Sequence, residues 1–110
     1  MSDEDIKIHR GLNNVYFDRT KTTYINGKEG VLEYRGYNIH DLSEKSSFEE
    51  VSYLLLYGKL PTKNELDLFN KSLKESREIP SKIIDIIRSI KESHPMDVLR
   101  TAVSALSAFD

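Results

Sequence analysis

Ser47-Phe48-Glu49-Glu50-Val51-Ser52-Tyr53-Leu54-Leu55-Leu56-Tyr57-Gly58-Lys59-Leu60-Pro61-Thr62-Lys63-Asn64-Glu65 contains two helix starts and one helix stop. The Ser-x-x-Glu spacing of Ser47 and Glu50 lets the serine oxygen accept from an early helical amide while the glutamate reaches back to another, so a helix is expected from Phe48. Phe48, Val51, Leu54, Leu55 and Tyr57 lay an apolar stripe along it at helical spacing, and Gly58 stands where a left-handed cap residue is wanted. Leu60-Pro61 forbids continuation, and Thr62 to Glu65 repeats the capping box at once. The stretch therefore reads as two helices joined by a tight turn. In the second, Leu66, Phe69 and Leu73 recur at helical spacing, while Lys63, Asn64, Asp67, Lys71, Lys74 and Glu75 take the other face.

Toward the start of the chain the texture changes. Thr22, Thr23, Tyr24 and Ile25 favour strand, Asn26-Gly27 signals a turn, and Val31-Leu32-Glu33-Tyr34 resumes a strand, which predicts a β-hairpin within 20–36. A lone hairpin is marginal in water, so its apolar face must dock on a helix or further strands. Gly36 is read as breaking the second strand, and Asn38 or Asp41 as starting a short helical turn with Ile39 and Leu42. Ser2-Asp3-Glu4-Asp5 is acidic and without periodicity, so residues 1–10 are expected to form a solvated, mobile end.

Toward the other end, Ile83, Ile84, Ile86, Ile87 and Ile90 form an apolar stripe with Lys82, Asp85 and Arg88 outside it. Its length and spacing favour helix over strand, despite five β-branched residues. His94-Pro95-Met96-Asp97 announces another helix, with Pro95 suited to its first position and Asp97 to its first turn. That helix runs uncharged from Thr101 to Phe109 and meets no Gly, Asn or Pro before Asp110, so it reads as cut rather than finished. Small or apolar on all sides, it is of the kind normally buried all round, but the neighbour that would cover it is expected to be missing from this chain, with helices filling 39–110. The fold class expected is mainly α, with an amino-terminal β-hairpin and an incomplete carboxyl end.

The 110 residues suit one domain or part of one, and a net charge of −2 with interspersed Lys and Glu disfavours nucleic acid. Zero cysteines exclude disulfides and fit a cytoplasmic setting. No stretch approaches a membrane span, and 1–10 is too charged for a secretory signal.

The chemistry sought is absent. The glycines stand too far apart for a dinucleotide fingerprint or phosphate loop, and His9, His40 and His94 lack metal-ligand spacing. His94 reads first as a helix-start residue, with polarisation of a substrate oxygen as the alternative. His40-Asp41 are sequence neighbours that point apart on a turn, and Glu49-Glu50 suit a helix start without catalysis. Tyr34-Arg35-Gly36-Tyr37 suits closing a strand end against helices more than gripping an anion. No serine lies in a nucleophile elbow.

The order of these motifs resembles the opening of citrate synthases, particularly the bacterial and archaeal type. Gly11-Leu12, Ile25-Asn26-Gly27, Tyr34-Arg35-Gly36-Tyr37, Phe48 to Gly58, Leu60-Pro61-Thr62 and His94-Pro95-Met96 with Leu99-Arg100 and Ala102 to Leu106 carry the resemblance. It implies a mostly helical homodimer that condenses acetyl-CoA with oxaloacetate, or propionyl-CoA in the related 2-methylcitrate synthases. The family's catalytic histidines, aspartate and carboxylate-binding arginines belong to motifs beyond Asp110. The resemblance thus implies no catalytic, cofactor-binding or metal residue in this chain, no cofactor, and a fragment inactive alone. A non-catalytic helical dimerisation module is the other reading. The last helix, through Ala102, Ala105, Leu106 and Phe109, is the expected contact face.

Overall fold

A computed structural model describes residues 6–110, so the acidic residues 1–5 of the expected mobile end lie outside the described residues. The chain divides into two compact units, Met1–Leu66 and Asp67–Asp110.

In the first unit β1 (Thr23–Asn26), β2 (Val31–Tyr34) and β3 (Tyr37–Asn38) form an antiparallel sheet in that order. Thr23 pairs with Tyr34 and Asn26 with Val31, closing the expected hairpin, while Tyr34 pairs with Tyr37. The second strand does end before Gly36, but the third strand that follows was not anticipated from the sequence. Arg35 and Gly36 both take positive φ, 49° and 87°, making a two-residue turn of the primed kind that suits the twist of the flanking strands. The chain reverses there and pairs again.

Helix α1 (Ile39–Lys45) is capped by Asn38, whose side chain accepts from the His40 amide at 2.9 Å, and it packs on β2 and β3. Helix α2 (Phe48–Tyr57) starts with both halves of the capping box: the Glu50 amide donates to Ser47 Oγ and the Ser47 amide to Glu50 Oε2, each at 3.2 Å. It ends at Gly58, whose φ of 80° lets its amide reach the Leu54 carbonyl at 2.8 Å. The buried stripe of α2 is narrower than expected. Leu54 is fully buried with Val51 and Leu55 partly so, whereas Phe48 and Tyr57 are 80% and 61% exposed. They sit at the two ends of the helix, where the sheet and α1 do not cover them; the Tyr57 ring lies against Tyr53, centroids 4.4 Å apart. Near the chain start, Arg10–Leu12 form a single 3-10 turn around Gly11 that sequence reading did not anticipate.

Helix α3 (Lys63–Glu75) opens on the second capping box. Glu65 accepts from the Thr62 amide at 2.8 Å and from Lys59 Nζ at 2.9 Å, and its own amide donates to Thr62 Oγ1. The Thr62 amide and then the Lys59 ammonium hold the Glu65 carboxyl below its ordinary value, while Glu65 raises Lys59. A carboxyl depressed on folding contributes stability above its unfolded pKa and loses it as pH falls through the folded value. The stability difference between wild type and Glu65→Gln, read from urea midpoints, is therefore expected to be present at neutral pH and to vanish on acidification past that value. A difference independent of pH would contradict it.

In the second unit α4 (Ser81–Ser89) packs against α5 (Pro95–Leu106), which a 3-10 turn, Ser107–Phe109, extends. The isoleucine stripe behaves as expected: Ile83 is 1% exposed, Ile84, Ile86, Ile87 and Ile90 are partly covered, and Lys82, Asp85 and Arg88 are in solvent. Helix α5 is left without a neighbour on most of its surface, as expected. Ala102 is buried, but the rest of the helix is mostly exposed, because α4 covers one side. His94 caps it, Pro95 is its first residue, and Asp97 lies in the first turn within 3.0 Å of Arg100 Nη2. Asp97→Lys would set a cation near the positive end of the helix dipole and beside Arg100. It is expected to cost about 1 kcal/mol, read as a lower urea midpoint. Equal midpoints would contradict the assignment.

Candidate functional site

Several of the residues singled out from the sequence have local structural tasks. The His94 imidazole accepts from the Met96 amide through Nδ1 at 3.1 Å, so the ring is engaged in starting α5. That Nδ1 therefore carries a lone pair here, which places any ring proton on Nε2. His9 Nδ1 lies 3.2 Å from the Asn13 carbonyl oxygen within its own turn. Asp41 faces Lys45 along α1 at 3.6 Å, a surface pair worth little, and makes no pair with His40. Glu50 is occupied by the capping box.

Tyr34-Arg35-Gly36-Tyr37 does close a strand end against a helix. Arg35 Nη2 donates to the Leu55 carbonyl at 2.9 Å, placing a guanidinium at the negative end of α2, where the dipole favours it. A Cβ at Gly58 would only touch Arg35 Cζ, at 4.0 Å, so it is the φ of 80° rather than the space that calls for glycine there. Next to this junction Tyr34, Ile39, Leu42, Phe48 and Val51 line an open apolar groove of about 250 Å³. It holds serine hydroxyls but no charged side chain, which suits an apolar side chain rather than a charged substrate.

Of the face expected on the last helix, Ala102 is already buried against its own unit, and Ala105 is half-buried. Leu106 and Phe109 of that face are exposed, and the apolar surface of α5 continues from them through Val103, Leu99 and Met96 at spacings of three and four. The missed members were visible in the sequence as a 3-4-3 spacing. Among the described residues no group of three or more His, Asp or Glu side chains is placed to hold a metal, and no helix is long and apolar enough to cross a membrane.

This arrangement of hairpin, short helix and helical pairs is shared with known proteins. The sequence model described as "Citrate synthase, C-terminal domain" matches residues 11–110. The chain belongs to the citrate synthase family. Citrate synthase of Deinococcus radiodurans is 49% identical over 104 residues, and 2-methylcitrate synthase 1 of Corynebacterium glutamicum is 44% identical over 107. These alignments cover 94% and 96% of this chain, which in each case spans 28% of the relative's length. The crystal structure of citrate synthase from Pyrobaculum aerophilum superposes with a TM-score of 0.86 at 44% identity, covering 94% of this citrate synthase-family chain and 25% of that one. The Thermotoga maritima citrate synthase superposes at 0.81 with 40% identity, covering 89% of this chain and 28% of that one.

Proposed function

We propose that this chain is the amino-terminal scaffold of a citrate synthase, which condenses acetyl-CoA with oxaloacetate in the cytoplasm, and that it supplies architecture and contact surface rather than catalytic groups. The observation that carries the reading is the superposition of nearly the whole chain on a quarter of a citrate synthase. The condensation needs a base in reach of the acyl methyl proton, donors for the developing enolate oxygen, and cationic groups for the oxaloacetate carboxylates. Here the His94 ring nitrogen and the Arg35 guanidinium nitrogen that bond are spent on backbone. The purified chain, given acetyl-CoA and oxaloacetate, is therefore expected to release no thiol above a heat-treated control. Turnover by the chain alone would overturn the scaffold reading.

The stripe Met96, Leu99, Val103, Leu106 and Phe109 is the proposed contact face, for a second copy in a homodimer. Burying one Leu and one Phe is worth roughly 3–6 kcal/mol before association costs. Sedimentation velocity over a concentration series is expected to show wild type associating and Leu99→Glu/Val103→Glu monomeric. A monomeric wild type at high concentration, or an associating variant, defeats this.

A second reading, 2-methylcitrate synthase acting on propionyl-CoA, is favoured by two such relatives at 44% and 43% identity. The ratio of kcat/KM for the two thioesters, measured on the protein that includes the acyl pocket, separates the readings.

A further inference from the structure

The β1–β2 loop, Asn26-Gly27-Lys28-Glu29-Gly30, has chemistry of its own. Asn26 Oδ1 accepts from the backbone amides of Lys28 at 3.2 Å and Glu29 at 3.3 Å, and Asn26 Nδ2 donates to Glu29 Oε2 at 3.1 Å. Gly27 is exposed, with open space where a Cβ would stand. We propose that Asn26 is a self-modification site, at which the folded loop converts asparagine to aspartate and isoaspartate through a succinimide formed with the Gly27 backbone nitrogen.

The Gly27 amide gives up its proton to a solvent base, and its electron pair attacks Asn26 Cγ. The electrons of the Cγ–Oδ1 double bond move onto Oδ1, where two backbone N–H groups already stand to receive the developing negative charge. Glycine adds no side chain to obstruct the attack. As the carbonyl re-forms, the Cγ–Nδ2 bond breaks. Nδ2 takes a proton from water beside the Glu29 carboxylate, which stabilises the positive charge growing on it, and leaves as ammonia. Water then opens the ring at one carbonyl to give aspartate or at the other to give isoaspartate. One amide and one water become a carboxylate and an ammonium ion, with no oxidant, reductant or second substrate.

None of the other asparagines, Asn13, Asn14, Asn38, Asn64 and Asn70, is followed by glycine. The Asn38 side chain accepts from the His40 amide, but the attacking nitrogen would belong to β-branched Ile39, held in α1. Asn64 is followed by Glu65. At Asn26 the product also changes the loop: the new carboxylate cannot donate to Glu29, and isoaspartate lengthens the backbone at the Asn26–Val31 pair that closes the hairpin.

The test follows the purified protein over time at neutral and mildly alkaline pH, native and in urea. Peptide mass spectrometry reads the exchange of amide for carboxyl, and labelled methyl transfer by an isoaspartyl methyltransferase reads isoaspartate. Asn26 is expected to convert at least an order of magnitude faster than Asn38 or Asn64 in the native protein, and faster native than in urea. Gly27→Ala, for which there is room, is expected to slow it by an order of magnitude. A native rate at or below the urea rate would overturn the proposal, as would Gly27→Ala converting at the wild-type rate. If Gly27→Ala changes the far-UV spectrum, the native-against-urea comparison on wild type decides alone.

Discussion

Leu54→Ala is expected to destabilise the first unit by about 2–5 kcal/mol, a large part of the whole stability of a chain this size. Leu54 has no exposed surface, and among the described residues of that unit Leu42, 4% exposed, is the other buried one. It also stands one turn before the αL cap, where its carbonyl accepts from Gly58. Truncation leaves a cavity beneath α2 that the capping boxes on either side hold open, so relaxation recovers little. The urea midpoint by far-UV dichroism is expected to fall sharply, and sheet amides to lose exchange protection with those of α2. A midpoint within error of wild type would show that Leu54 is not the centre of this unit.

Ile83→Ala is expected to have a comparable effect in the second unit. Ile83 is nearly fully buried where α4 meets α5, and Ala102 is the other buried apolar residue there. Ile83→Val removes one methylene and is expected to cost about 0.5–1.5 kcal/mol, against about 2–5 for the alanine. Amide exchange resolved along α4 and α5 measures both. A valine variant as damaging as the alanine one would mean that side-chain shape, rather than buried volume, holds the helices together.

What was legible in the sequence was what acts over a few residues. Ser47 with Glu50, Thr62 with Glu65, Asn38, Gly58 and His94-Pro95 each announce a helix end because the hydrogen bond they make lies within three or four positions. The isoleucine stripe of α4 was legible because its charged neighbours mark the opposite face. The third strand was not. A primed turn is signalled by Asn-Gly or Asp-Gly, and here Arg35 takes the position where φ must be positive, a conformation its side chain tolerates with help from the bond to Leu55. The exposed apolar stripe of α5 was half legible. The run from Thr101 to Phe109 reads as apolar or small on all sides, and Thr101 and Ser107 bond back to the Asp97 and Ser104 carbonyls, so those two residues need no cover. Which stripe of α5 the neighbouring helix takes is a tertiary fact, decided by α4.

The bond from Arg35 to Leu55 bears on how the molecule acquires its shape in time. The caps at Asn38, Ser47, Thr62 and His94 join groups two or three positions apart, whereas Arg35 reaches across twenty. Contacts so near in sequence close at little loop-entropy cost, so the helix ends are set early and quickly, while the docking of sheet on α2 waits for a longer segment to be gathered. The arginine thus belongs to the late, slow side of folding. Its loss is expected to quicken unfolding while leaving the rate of helix formation untouched.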